Sequence, residues 1–173
     1  MLASRLLTVT IAAGLASVPG PASAQVSEAA VKAAYLPKIA RYIIWPPDAV
    51  APRSQLQICL VGSDPFGRLI DEAVAGQSVG EHAMIVRRSG ELEGCHVAFL
   101  RGSVAPRAMA MLKGRPVLTV TDSRDGPVRG MVHFALKDGR VSFHIDDRQA
   151  AQAGLGISAR LLAIALTVRT RTQ

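Results

Sequence analysis

The clearest pattern of apolar and polar positions lies in residues 130–146, where the two types alternate on both sides of Asp138-Gly139. An Asp-Gly pair is preferred in two-residue type I′ turns because both central residues need a positive φ. This turn sets opposite one another Leu136 and Val141, Phe134 and Phe143, and Val132 and Ile145. One face of the predicted β-hairpin is therefore entirely apolar and must pack on the rest of the domain.

The other face of this hairpin carries the candidate metal ligands. It sets His133 opposite His144, with Asp146 one diagonal step away. Directly opposed side chains have Cβ atoms about 4.5 to 5.5 Å apart, so two imidazoles could share a metal ion there. Two histidines without a third firm ligand are more often exposed polar residues. The metal site is therefore the less favoured interpretation of this face.

A helix is predicted over residues 27–44, because apolar residues recur there at helical spacing and Ser27 can cap the first turn. Pro37 lies inside this segment and cannot donate a backbone hydrogen bond, so we expect a kink or a break near it. The connector Trp45-Pro46-Pro47 then ends the helix.

Nearly continuous apolar runs further along the chain are typical of strands buried on both faces. They alternate with segments of helical spacing, which indicates parallel strands joined by right-handed crossovers. The predicted strands are residues 56–61, 82–88, 95–100 and 116–121, and the predicted helices are residues 65–74, 103–113 and 148–153. Asp64 is expected to cap the first of these helices, because its glycine-rich loop lacks the spacing of a phosphate-binding loop.

A terminal amphipathic helix is predicted over residues 157–168, where apolar residues again follow helical spacing. The fold class is therefore α/β. We expect a single domain with a mostly parallel sheet, flanking helices, and a C-terminal antiparallel β-hairpin at the sheet edge followed by a helix. The first four strands are expected in the flavodoxin-like order 2-1-3-4.

Residues 1–24 have the pattern of a cleavable signal peptide. Arg5 supplies a short positive region, residues 6–18 are apolar, and Ala22-Ser23-Ala24 fits the A-x-A cleavage pattern. The apolar run is too short to span a bilayer. We therefore expect an exported protein, most simply in a bacterial periplasm, with one domain over residues 25–173.

The formal net charge of the whole chain is +7 at pH 7. Export makes nucleic acid a poor candidate partner, so the charge favours acidic protein surfaces or anionic headgroups. The alternative is that the scattered Lys and Arg residues only keep the surface solvated.

Cys59 and Cys95 are the two cysteines of the chain. An even pair in an oxidising compartment favours a disulfide over free thiols. In the predicted strand order the first and third strands are neighbours, which would let the two residues meet. A bridge between them would contribute about 3 to 4 kcal/mol on the chain-entropy model.

The sequence contains no evident catalytic constellation. There is no G-x-S-x-G elbow, and the cysteines are expected to be consumed by the disulfide. The carboxylates of Asp146 and Asp147 alternate sides of an extended segment, or act as helix caps, and do not converge on a substrate. We therefore predict a protein that is not an enzyme and needs no cofactor.

Five segments, in this order along the chain, are similar to the YfiR/HmsC-like periplasmic family. They are AAYLPKIARYIIWP (33–46), ICLVGSDPFG (58–67), CHVAFL (95–100), VLTVTDS (117–123) and VSFHIDDRQAAQAGLGISARLL (141–162). The last is the most specific of them, and together they cover essentially the whole predicted domain.

The resemblance implies a periplasmic α/β protein without catalysis. It implies a repressor that binds the periplasmic region of an inner-membrane diguanylate cyclase and so restrains cyclic di-GMP synthesis and biofilm formation. An outer-membrane lipoprotein that sequesters the repressor would be a second partner. Cys59 and Cys95 stand where the family commonly has a bridged pair, whereas Asp146 stands where it usually has Asn.

Two hypotheses about function therefore stand. In the first, the protein is a regulator whose partner meets a surface that includes Tyr42, Trp45 and Pro46. In the second, it is a periplasmic sensor of a small ligand or metal that binds at the carboxyl ends of the parallel strands. The sequence leaves open whether the chain forms a homodimer.

Overall fold

The computed structural model describes residues 27–52 and 54–171, so the predicted signal peptide lies outside the described residues. The helices are α1 (Glu28–Ala40), α2 (Arg68–Val74), α3 (Ala105–Leu112), α4 (Asp147–Gln152) and α5 (Ala159–Ala163). The strands are β1 (Ile43–Ile44), β2 (Leu56–Val61), β3 (Ser78–Val79), β4 (His82–Arg87), β5 (Val97–Leu100), β6 (Leu118–Asp122), β7 (Val132–Lys137), β8 (Arg140–Asp146), β9 (Gly156–Ile157) and β10 (Thr167–Arg169). Within these residues, none of the helices has the length and hydropathy that a membrane span requires.

The main sheet has eight strands in the order β10-β8-β7-β6-β5-β2-β4-β3 within the described residues. Strands β4, β2, β5, β6 and β7 run parallel, and β8 returns antiparallel to β7. The predicted α/β class and the predicted order 2-1-3-4 are both confirmed. A separate two-stranded sheet joins β1 to β9.

The β7–β8 hairpin has the register that its turn predicts. Phe134 lies opposite Phe143 and His133 lies opposite His144. Asp138 and Gly139 have φ angles of 50° and 72°, the left-handed values that a type I′ turn demands. Turn chemistry and hydrophobic pattern therefore specify the same pairing.

One side of the sheet, which we call the core face, packs against α1 and α2. The strands present a mainly apolar surface there, and α1 covers it with Leu36 and Ile39. Phe99 and Phe134 are fully buried at its centre. Burial of this much apolar surface is the main stabilising contribution to the domain.

The other side, which we call the mixed face, has two unlike halves. Under α3 it is apolar and includes both cysteines. Over β6, β7 and β8 it carries buried polar side chains, among them Thr121 and His133. The segment of residues 123–131, which connects the parallel strands β6 and β7, returns across this face with Val128 packed on the apolar half.

Several predicted helix boundaries are wrong. Residues 157–168 do not form one helix, because α5 ends at Ala163 and the chain then extends into β10, which pairs parallel with β8 outside the hairpin. Asp64 does not cap α2. Its carboxylate accepts hydrogen bonds from the backbone N–H groups of Phe66 and Gly67, so it closes the loop, and α2 begins only after Gly67.

The helix α1 begins after Ser27, whose hydroxyl accepts the backbone N–H of Ala30, and this predicted cap is confirmed. Pro37 does not break the helix, which continues to Ala40. The helix ends sooner than predicted because Ile43 and Ile44 pair with β9.

Candidate functional site

The connector after α1 lies where the small sheet joins the domain. Ile44 lies opposite Gly156 in the β1–β9 pair, and the backbone N–H of Ser158 donates to the Tyr42 carbonyl at 3.0 Å. A Cβ added at Gly156 would lie 3.0 Å from Cβ of Ile44. The absence of a side chain at this glycine therefore allows the close approach that holds β1 in place.

The residues predicted to meet a partner differ in exposure. Tyr42 is 40% exposed, whereas Trp45 and Pro46 are half-buried. The sequence reasoning missed Ile44, which is 65% exposed and lies between them in the chain. We call Tyr42, Ile44, Trp45 and Pro46 the connector patch. The sequence places Ile44 within the predicted helix, directly after Ile43 and before Trp45, and gives no signal of its exposure.

Trp45 is anchored to the protein's own fold. Its indole Nε1–H donates to the carbonyl of Ala40 at 3.3 Å, and its ring meets His96 edge-on with 6.3 Å between centroids. Burial lowers the pKa of His96, and its Nδ1 accepts the backbone N–H of Gln57 at 2.9 Å. A neutral imidazole therefore supports the indole and fixes the start of the connector patch.

The predicted disulfide between Cys59 and Cys95 is confirmed. The S–S distance is 2.06 Å and the Cα atoms are 5.8 Å apart, which is ordinary disulfide geometry. The bridge ties β2 to the segment that enters β5. Arg87 lies beside it and donates to the carbonyl oxygens of Glu91 and Glu93 and to Sγ of Cys95. The guanidinium thereby holds the preceding loop over the bridge.

The histidine pair lies on the polar half of the mixed face. The rings of His133 and His144 are stacked with 6.2 Å between centroids. His133 is only 4% exposed, so its predicted exposure to solvent is wrong. The cause is the β6–β7 connection, which covers this part of the sheet. Burial and the charge of Arg129 lower the pKa of both imidazoles.

Asp146, the third candidate metal ligand, acts as a helix cap. Its carboxylate accepts the backbone N–H of Gln149 at 2.9 Å and thereby caps α4. In the described part of the chain, no three His, Cys, Asp or Glu side chains form a group that could hold a metal ion. The geometry of the histidine pair must therefore be explained in other terms.

The carboxyl ends of the parallel strands lie beside a cavity. The loops after β2 and β5 meet there, since the backbone N–H of Arg101 donates to the Val61 carbonyl at 2.9 Å. A Cβ on Gly62 would lie 2.5 Å from the Arg101 carbonyl oxygen. In open α/β sheets a ligand usually binds in this crevice, and a cavity of about 1000 Å³ whose lining includes Val61, Gly62 and Val104 lies beside these two loops.

A buried ion network lies near these strand ends, at the end of β6. Lys32 is 3% exposed and lies 2.5 Å from carboxylate oxygens of both Glu28 and Asp122. Arg124 donates two hydrogen bonds to Glu28, and this pairing together with Lys32 lowers the pKa of Glu28 to about 2. The network ties α1 to the end of β6, and every charge in it has a partner.

Fold and sites together define a small α/β domain with a disulfide-braced parallel sheet, an exposed apolar patch and a cavity beside the strand ends. The model of the YfiR/HmsC-like family matches residues 29–166, and the chain belongs to this family. The family is known for periplasmic proteins that regulate diguanylate cyclases. Its members act as regulators and not as catalysts. No curated protein matches the chain significantly.

Proposed function

We propose that the protein is a periplasmic repressor that binds the periplasmic region of an inner-membrane diguanylate cyclase and restrains cyclic di-GMP synthesis. The observation that carries the proposal is membership of the YfiR/HmsC-like family over residues 29–166. The proposed exported domain is residues 25–173, released by cleavage of the signal peptide. An outer-membrane lipoprotein partner and a homodimer stay predictions.

The connector patch supports a protein partner. Ile44 and Tyr42 are large apolar side chains that the domain leaves largely in water, at 65% and 40% exposure. They lie beside a Trp and a Pro whose positions are fixed by the fold. Rigid aromatic and aliphatic anchors of this kind dominate the binding energy of protein interfaces. The cavity of about 1000 Å³ beside the strand ends is the observation that favours the alternative of a ligand site there.

Binding can be tested with the exported chain and the immobilised periplasmic region of the diguanylate cyclase from the same organism. We expect saturable binding by biolayer interferometry, and we expect addition of the protein to reduce cyclic di-GMP synthesis by the full-length cyclase in membranes. Failure of both would contradict the proposed function.

The docking surface can be tested separately with Ile44→Glu. A charge in the buried centre of an interface should weaken binding at least tenfold. The matched control is Met111→Glu on α3, because Met111 is a 55% exposed apolar side chain on the mixed face. We expect its affinity to stay within about twofold of the parent. If Met111→Glu weakened binding and Ile44→Glu did not, the interface would lie at α3, and the proposed function would still stand.

A further inference from the structure

A polar cavity of about 520 Å³ opens on the mixed face where β7, β8 and β10 lie side by side. His133 and His144 lie in its wall, and Arg129 and Arg169 belong to its lining. This cavity is separate from the connector patch, from the disulfide and from the cavity beside the strand ends. No step of the proposed repressor function uses it.

The two imidazoles are held in a defined way. Nδ1 of His133 lies 2.8 Å from the hydroxyl of Thr121, and that hydroxyl already accepts the backbone N–H of Gly130 at 2.8 Å. The hydroxyl proton of Thr121 is thus available to His133, which favours the tautomer with its proton on Nε2. Such a histidine offers an N–H donor on its remaining nitrogen.

The second imidazole is arranged in the same way. Nδ1 of His144 lies 2.7 Å from the hydroxyl of Thr167 on β10. With both Nδ1 atoms engaged by threonines, Nε2 is the nitrogen that each ring leaves for a ligand. His133 is more than nine-tenths buried, and the cavity is where it meets open space.

The charges around the cavity are predominantly positive. Arg129 is exposed at the rim and forms no ion pair within the described residues. Arg169 lies 3.5 Å from Asp146, the one carboxylate of the lining, and this carboxylate also caps α4. Two guanidinium groups and two imidazoles therefore face one partly neutralised carboxylate.

We propose that this cavity binds the phosphate group of a small molecule, with Arg129, His133 and His144 as its main donors. A tetrahedral phosphate accepts hydrogen bonds from several directions, and here the donors come from a loop and two strands. Charge-assisted hydrogen bonds of this kind are the strong ones. Binding would also favour protonation of the imidazoles, which the unliganded site holds neutral.

A metal ion is the poorer occupant of the same space. A stable zinc site needs more than two protein ligands, and within the described residues no third His, Cys, Asp or Glu joins the pair in a group that could hold a metal ion. The charge of Arg129, which lowers the pKa of both histidines, also repels a cation. The same charge attracts an anion.

Titration with inorganic phosphate at pH 7.5, followed through the Cε1–H signals of the histidines by NMR, tests the proposal. We expect saturable shifts of the His133 and His144 signals in the parent protein. Arg129→Gln and His144→Gln should each weaken binding about tenfold, the effect of one charge-assisted hydrogen bond. Both replace side chains that are not fully buried, so folding should survive.

Arg107→Gln is the matched control, because Arg107 is an exposed arginine on α3 outside this cavity. It makes the same change in net charge and should alter phosphate affinity less than twofold. Equal weakening in the control would show a general charge effect and overturn the site. Absence of saturable shifts, tighter binding of succinate than of phosphate, or ligation of zinc by both histidines would each overturn it as well. None of these results bears on cyclase binding.

Discussion

The two faces of the sheet are built on different principles. The core face is mainly apolar under α1 and α2, with one buried ion network at the end of β6, whereas the mixed face divides its area among a disulfide, a short helix, buried hydroxyls and a histidine pair. Apolar packing is insensitive to redox state and to pH near neutrality. A disulfide responds to the redox state, and an imidazole responds to pH near neutrality. The comparison teaches that the fold places its bulk stability on one side and its condition-dependent contacts on the other.

The largest expected effect is on the core face. Phe134→Ala removes a fully buried ring that lies 6.2 Å from Tyr35 and 6.4 Å from Phe99, between ring centroids. The free energy of unfolding should fall by about 3 to 5 kcal/mol. Urea denaturation followed by the fluorescence of the single tryptophan measures it. Leu136→Ala, on the same strand and face but 40% exposed, is the control and should cost about 1 kcal/mol or less.

The disulfide is the corresponding test of the mixed face. The double variant Cys59→Ala, Cys95→Ala opens a loop with a sequence separation of 36 and should lower the free energy of unfolding by about 3 to 4 kcal/mol. Calorimetric melting of the parent and the variant, each with and without a reductant, measures the change. Reductant should lower the Tm of the parent only. A double variant that melts with the parent would show that the bridge does not brace this face.

A smaller effect is expected where the β6–β7 connection crosses the mixed face. A Cβ at Gly130 would lie 2.6 Å from the Thr119 carbonyl oxygen, a backbone atom that cannot simply turn away. Gly130→Ala should therefore cost about 1 to 3 kcal/mol in urea denaturation. Gly90→Ala is the control, since a Cβ there meets nothing within 4 Å. Equal, small costs for both variants would mean that the connection is held loosely.

The smallest expected effect is the pH dependence that the histidines confer. Burial lowers the folded-state pKa of His133 below its unfolded value, so the unfolded chain takes up the proton first. The resulting stability is present above about pH 6.5 and is lost as the pH falls toward the folded-state pKa. The slope per histidine cannot exceed about 1.4 kcal/mol per pH unit.

Urea denaturation between pH 7.5 and pH 5.5 measures this slope. His133→Gln should flatten it, while His96 and His144, whose pKa values are also lowered, keep part of it. If the free energy of unfolding of the variant had the same pH dependence as that of the parent, His133 would not be the titrating group. The histidine pair would then not make the mixed face sensitive to pH.

The hairpin could be predicted in full because all its information is local. Asp138-Gly139 specifies the turn, and a slip by one residue would move Phe134 and Phe143 into water. The parallel strand order could be predicted too, because short apolar runs separated by helical segments leave few topologies. The neighbouring positions of Cys59 and Cys95 followed from that order.

The C-terminal segment could not be predicted in the same way. Its apolar spacing fits a helix, but Thr167, Val168 and Arg169 gain backbone partners by pairing with β8, which is distant in sequence. The burial of His133 was missed for a related reason. It depends on the path of residues 123–131, which the sequence shows only as a loop. The exposure of Ile44 depends on where α1 stops, and helix ends are the least certain part of any helix prediction.

The strand β10 has a consequence for the folding of an incomplete chain. Because the chain is synthesised from its amino end to its carboxyl end, the outer edge of β8 stays unpaired until Thr167–Arg169 are present. A chain that stops before Thr167 would keep that edge open, and an open edge strand is a template for aggregation. Loss of β10 should therefore be more damaging than its three residues would suggest.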